Sequence, residues 1–210
     1  MPDIIPIAPF SAWPVAISLA SQKAHYTILQ FFAAEISNPC TRRAYIKGAQ
    51  DFFAFSAGRA GGDRLETITA LHVAAWLADM KARGLSAPTM KQRLAGLRML
   101  FQALAREQIL AINPAAVVKG PKHPAGKGKT PVLTGEETLQ LLNSIDTGTL
   151  IGLRDRALIG CMAYSFARIG AVVTLKVADV FHQKRRLWLR LHEKGGKSLE
   201  IPCHHQFENY

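Results

Sequence analysis

Met90, Leu94, Leu97, Phe101 and Leu104 recur at spacings of 4, 3, 4 and 3. That is the period of one face of an α-helix and is incompatible with the two-residue period of a strand. A stripe of large apolar side chains this long must be covered, so the segment demands partner helices. Ser86 stands where an N-cap is needed, Pro88 suits the first turn, and Lys91, Arg93 and Arg98 lie off the stripe. The flanking sequence supplies partners. Ser18 to Ile36 favours helix and is stopped by Asn38-Pro39. A second helix is expected from Thr41 as N-cap, with Ala44, Ala49, Phe52, Phe53 and Ala54 inward and Arg42, Arg43 and Lys47 on its outer early turns. Gly58 to Gly62 ends it, and a third helix runs from about Thr69 to Arg83 and stops at Gly84. Residues 1–17, proline-rich and without helical period, read as a loose arm. Residues 18–112 are thus expected to form a compact four-helix bundle with a basic surface.

The composition then shifts. Asn113 to Thr130 holds three prolines, three glycines and four lysines with no acid, the signature of a linker (113–130). Thr134 and Glu137 form a capping box, and Leu139, Leu141 and Leu142 continue that helix to Asn143-Ser144. Arg154 to about Ala167 is mostly apolar and is expected to be a buried helix. Leu187, Leu189 and Leu191 alternate with Trp188, Arg190 and His192, a strand, and Ser198–Pro202 can pair back across a turn at Glu193–Lys197. Helices followed by a hairpin make residues 131–210 an α+β unit.

Lys and Arg number 26 against 15 Asp and Glu, a formal net charge of +11. Such a surplus selects a polyanionic partner. A membrane partner fails on length: the apolar run Ala157–Ala167 has 11 residues before Arg168 ends it, against about 20 for a span. The amino-terminal stretch carries Asp3 and four prolines instead of a basic segment, which argues against a signal peptide. Cys40, Cys161 and Cys203 are odd in number and widely spaced, so no disulfide framework is expected and a cytoplasmic, reducing compartment fits. Cys203-His204-His205 lacks a second ligand pair at zinc spacing, so no metal site is assigned.

In order along the chain, TRRAYIKGAQDFFAF, APTMKQRLAGLRMLFQALAREQILAINPA, the basic linker, PVLTGEETLQLL, LRDRALIGCMAYSFARIGAVVTLKVADV and RLWLRLHEKGGKSLEIPCH resemble the tyrosine recombinase (phage integrase) family of DNA breaking-and-rejoining enzymes. The resemblance runs from about Asn38 to the end of the chain. It implies a mainly α fold: a helical core-binding, SAM-like domain followed by the first part of an α+β catalytic domain. It also implies that Arg168 and Lys194 occupy the positions of the family's first arginine and its hairpin lysine. The chemistry needs these types. Phosphodiester attack builds negative charge on the non-bridging oxygens, which a guanidinium clamps bidentately. A lysine on a Gly-flanked turn can protonate the leaving 5′-oxygen. No cofactor, metal or small-molecule substrate is implied. The implied partners are double-stranded DNA and other recombinase protomers on it. Candidate DNA contacts are Thr41, Arg42, Arg43 and Lys47; Lys91, Arg93 and Arg98; and Lys119, Lys122, Lys127 and Lys129 in the linker.

The family also requires, after the hairpin, a His-x-x-Arg motif and a late nucleophilic tyrosine. Only 13 residues follow Lys197 here. His182-x-x-Arg185 precedes Lys194 and reads as a basic loop. Tyr210 falls too early to be the nucleophile, while Tyr26, Tyr45 and Tyr164 sit in or beside predicted helices. The position three residues after Arg168, often acidic in the family, is Ala171. The chain is therefore expected to be C-terminally truncated and inactive alone, since without a nucleophile no phosphotyrosine forms. Such proteins serve DNA integration by mobile elements. The alternative reading is a non-catalytic DNA-binding regulator that occupies recombination sites.

Overall fold

A computed structural model describes residues 9–123, 131–193 and 195–209. The chain divides into two compact units between Gly126 and Lys127, the first helical and the second helical with a small sheet.

The first unit comprises α1 (Val15–Ser18), α2 (Gln22–Gln30, continued by a wider π turn over Phe31–Glu35), α3 (Pro39–Ser56), α4 (Ala70–Ala82) and α5 (Ala87–Arg106). The stripe on α5 is buried along its whole length. It shares one core with Phe31, Phe32, Phe52, Phe53 and Trp76. Phe52 meets the rings of Trp76 and Phe101 edge-on, at centroid distances of 5.3 and 5.7 Å, the arrangement that aromatic quadrupoles favour. Thr69 and Ser86 stand at the N-cap positions of α4 and α5, and Gly84 ends α4 at φ 76°, a conformation that costs glycine little.

Helices α3 and α5 approach closely because each presents a glycine. A Cβ on Gly96 would lie 2.7 Å from the Tyr45 ring, and one on Gly48 would lie 3.4 Å from Arg93. Gly96→Ala is expected to cost about 1–3 kcal/mol by overpacking. The cost would be read from urea unfolding. Together with Tyr45→Ala it should cost less than the sum of the two single changes, because both act at one contact.

This unit departs from the sequence expectation in four places. The stretch read as a loose arm is partly core: Trp13, Ala16 and Ile17 are buried, since the prolines bend the chain without preventing short helical turns. The N-cap of α3 is Asn38, whose Oδ1 accepts from the Cys40 and Thr41 amides at 3.0 Å, with Pro39 as first helical residue. Thr41 therefore lies inside the helix. Ala54 faces solvent. The beginning of the expected linker belongs to the bundle: Pro114, Ala115 and Val118 are buried, and Asn113 donates to the Arg98 carbonyl at 3.0 Å.

The second unit comprises α6 (Gly135–Asn143), α7 (Leu150–Ser165), α8 (Ile169–Val172) and strands β1 (Val180–Gln183), β2 (Arg186–Glu193) and β3 (Lys197–Pro202), antiparallel in the order β1-β2-β3. The capping box opens α6: the Thr134 hydroxyl accepts from the Glu137 amide at 3.2 Å, and the Glu137 carboxylate accepts from the Thr134 amide at 2.8 Å. Those bonds hold the Glu137 carboxyl below its ordinary range. In β2, Leu189 and Leu191 point inward as the alternation requires. Strand β1 lies in the stretch read only as turn-rich; four residues are too few to display a period. Helix α7 starts four residues before Arg154, capped by the Thr149 hydroxyl at 3.0 Å from the Gly152 amide.

Helix α7 is not the buried helix its composition implied. Between Arg154 and Ala167 only Gly160 and Cys161 are buried and most of the rest are half-buried, while Leu150, Ile151 and Leu153 before that stretch and Phe166, Ile169, Val173 and Val177 at and beyond its end are exposed. The reason is the size of the unit: its buried core is built around Cys161, Val172, Leu189 and Cys203, so one flank of the helix has no covering layer among the described residues.

Candidate functional site

Among the cationic side chains proposed from the sequence, the structure separates those that bond within the fold from those left exposed. Arg42 is buried, and its guanidinium donates to the Ile36 carbonyl at 2.8 and 3.2 Å and to the Ala33 carbonyl at 3.2 Å. It satisfies carbonyls where α2 and its π turn end, groups that would otherwise be orphaned. Arg93 donates to Asp51 at 2.9 Å with its side chain 16% exposed. Arg98 donates to the Ala115 carbonyl at 3.1 Å and to that of Val118, fastening residues 113–118 to α5. These three are structural cations, contrary to their expected outward placement.

Asp51 is the centre of a second ionic group. It accepts from Trp76 Nε1 at 2.8 Å, from Arg83 at 2.9 and 3.0 Å and from Arg93 at 2.9 Å, joining α3, α4 and α5. Burial by itself raises its carboxyl pKa, but hydrogen bonds from Arg83 and Trp76 and the charges of Arg93 and Arg83 outweigh it and hold the group below its ordinary range.

Arg43, Lys47, Lys91, Lys119 and Lys122 remain exposed. Arg43 and Lys47 are four residues apart on α3 and so share a face. Lys47 directly precedes Gly48, the point at which α3 meets Arg93 of α5, and Lys91 lies two residues before that contact. Gly120 packs over Leu94 and Lys91, which brings Lys119 and Lys122 to the same end of α5. Lys81 joins Lys119 and Lys122 around a cleft there. The exposed cations of α3, α5 and residues 119–122 thus lie near one helix crossing. Thr41 is half-buried in the first turn of α3. Lys127 and Lys129 lie outside the described residues.

In the second unit, α7 ends where Phe166 turns left-handed at φ 55°. The Ser165 hydroxyl accepts from the Ala167 amide at 3.2 Å. Arg168 follows in extended conformation immediately before α8. It therefore sits at a corner between two helices, not at the end of α7. Its side chain is 77% exposed and forms an ion pair with Glu193, the last residue of β2. Lys194 lies outside the described residues. Its neighbours are placed: Glu193 pairs with Lys197 across the hairpin, and Gly195 and Gly196 take φ 84° and 76° in the loop between them. Two left-handed positions in succession are what this pair of glycines permits. Position 171 is an alanine, buried in α8, and the carboxylate that meets Arg168 is that of Glu193 in the hairpin. Sequence reasoning missed Glu193, although its signal was visible: an acid adjoining the expected lysine in a chain rich in cations.

The remaining candidates are accounted for. His182 pairs with Leu187, at the end of β2 opposite Glu193, roughly 20 Å away at strand rise. Tyr45 packs on Gly96 and Tyr26 is exposed on α2. Tyr164 donates to Gln206 at 3.2 Å and stacks on His204 at 5.1 Å. Tyr210 lies outside the described residues. Burial, with Cys161 and Glu208 nearby, pushes the Cys203 thiol up to about 11. Among the described residues no group of three His, Cys, Asp or Glu is arranged to hold a metal, and no helix is long and apolar enough to cross a membrane.

Residues 30–108 match the phage integrase N-terminal SAM-like domain. The chain is 30% identical to the tyrosine recombinase XerC of Myxococcus xanthus over 173 residues, 81% of this chain and 55% of that protein. It is 29% identical to the tyrosine recombinase XerD of Haemophilus influenzae over 138 residues, 66% of this chain and 45% of that protein. The chain thus spans about half the length of the curated relatives it matches. The fold is similar to about half of a lambda integrase solved as a dimer on a COC′ core site (TM-score 0.64, 19% identity, 85% of this chain and 48% of that one). It is also similar to part of the XerH recombinase bound to a palindromic difH substrate (TM-score 0.62, 17% identity, 92% and 57%).

Proposed function

We propose that this chain, which is similar to the tyrosine recombinases XerC and XerD and matches the phage integrase N-terminal SAM-like domain over residues 30–108, binds duplex DNA as part of site-specific recombination. The first unit engages the phosphate backbone through Arg43, Lys47, Lys91, Lys119 and Lys122, with Thr41, Lys127 and Lys129 as further contacts. The second unit contributes Arg168 and Lys194 to a scissile phosphate. The observation that carries the reading is the gathering of the exposed cations of α3, α5 and residues 119–122 around the Gly48–Arg93 crossing, while Arg42, Arg93 and Arg98 are consumed by the fold.

The solved relatives are bound to DNA as dimers and tetramers, and an arrangement of several protomers on DNA is proposed here by analogy. At the scissile phosphate the Arg168 guanidinium would neutralise charge on the non-bridging oxygens and the Lys194 ammonium would protonate the leaving 5′-oxygen. These 210 residues hold no His-x-x-Arg after Lys194, and by themselves they would bind without cleaving. The alternative, a regulator that occupies recombination sites, shares the binding step and differs only in whether a nucleophile is ever supplied.

The test is binding to a labelled duplex across a salt series, together with incubation on a nicked suicide substrate. Binding should weaken steeply and linearly on a log–log plot as salt rises, and no covalent protein–DNA band should form. Salt-independent affinity would overturn the phosphate-contact reading, and a covalent band would overturn the claim that these residues do not cleave.

A further inference from the structure

We propose that Glu193 is the positioning residue for Arg168, replacing from the hairpin the acid that the family often carries at the position occupied here by Ala171; the proposal rests on Arg168 being a phosphate-binding group. Three observations carry it. First, the partners are unequal in exposure. The Glu193 side chain is 18% exposed and ends a strand registered against β3, whereas that of Arg168 is 77% exposed. A fixed carboxylate is therefore holding an otherwise free guanidinium, and not the reverse. Second, the contact is made by one terminal nitrogen, Nη1, to one carboxylate oxygen, Oε2. Among the described residues this is the only partner of the guanidinium, so the edge formed by Nε and Nη2 stays open. That edge is one of the two on which a guanidinium grips a phosphate bidentately. Third, Ala171 is buried, so a carboxylate at that position would have to displace core packing.

The consequence is a mechanical link. Glu193 ties the corner between α7 and α8 to the end of β2, immediately before Lys194 in the chain. The element that presents the guanidinium and the hairpin that bears the lysine are thereby registered to each other before any DNA arrives. Without the tie, an exposed arginine at a corner samples many rotamers, and the ordering cost falls on the binding step.

The experiment sets this against charge counting. Removing an anion from a protein that binds a polyanion should strengthen binding. Positioning demands the opposite. Affinity for duplex DNA should fall in the order wild type, Glu193→Gln, Glu193→Ala, the last by roughly three- to tenfold. In an Arg168→Ala background the Glu193 changes should not weaken binding further. In parallel, nitrogen-15 NMR of the full chain should show resolved Nη–H resonances for Arg168, assigned by their absence in Arg168→Lys. These should persist partly in Glu193→Gln and vanish in Glu193→Ala, while backbone amide resonances of β2 and β3 confirm that the hairpin is intact. Variants that bind more tightly than wild type, or as tightly, overturn the proposal, as do Arg168 resonances unchanged in Glu193→Ala. Should the wild-type chain not bind duplex DNA at all, the functional reading above fails, and the NMR comparison still decides whether Glu193 holds Arg168.

Discussion

Asp51→Ala is expected to lower the unfolding free energy of the first unit by about 2–3 kcal/mol, measured as a shift in the urea midpoint. One carboxylate receives the Trp76 indole, both terminal nitrogens of Arg83 and one of Arg93. Removing it strands the indole N–H of a buried tryptophan and the guanidinium of Arg93, each of which then lacks the acceptor that offset its burial. The figure sits below that of a fully buried ion pair because Arg83 is exposed enough to regain water. Asp51→Asn should cost less, since an amide oxygen still accepts. The effect has a definite pH sign. The folded-state carboxyl is held below its unfolded value of about 3.9, so its stabilisation is complete above that value and is lost as pH falls through the folded one. The midpoint difference between wild type and Asp51→Asn should therefore be full at neutral pH and shrink towards pH 3 and below.

The combined change Arg43→Ala, Lys47→Ala and Lys91→Ala is expected to weaken duplex binding by about two orders of magnitude at roughly 0.15 M salt. The log–log salt slope should also become shallower by about 2 to 3 units, close to one for each phosphate that the variant no longer neutralises. These side chains are exposed on α3 and α5, so stability should change little. Arg42→Ala and Arg98→Ala make the contrast. Their guanidinium groups satisfy backbone carbonyls within the bundle, so they should lower the unfolding midpoint while the folded fraction binds with an unaltered slope. A triple variant that kept the wild-type slope would place the DNA on another face.

The sorting of cations shows where reading along the chain stopped being informative. Arg42 and Arg43 are neighbours of the same type, yet one is buried against carbonyls and the other is exposed. A helical period assigns a residue to a face; it does not say which loop or helix end will pass in front of it. The same limit applies to Glu193. Its identity and place in the turn were legible, but its partner lies 25 positions earlier, and no local pattern pairs residues at that separation. Helix α7 erred for a different reason: composition reports that a segment is apolar, whereas its burial depends on how many layers the rest of the unit can supply.

What the chain determined by itself are features governed by near neighbours. The α5 stripe, the Thr134–Glu137 box, the Gly84 stop and the alternation in β2 each depend on residues within a turn or two, where backbone geometry alone decides which side chains meet. The ordered motifs likewise carried the resemblance to the tyrosine recombinases from letters alone, and the match to XerC agrees with it. Tertiary structure decided everything that needed a second segment: the glycine-mediated approach of α3 to α5, the fastening of residues 113–118 by Arg98, the Asp51 hub and the carboxylate that meets Arg168. Each is a contact between groups far apart in sequence, and its existence depends on how the helices and strands pack, a property that no short stretch of the chain possesses.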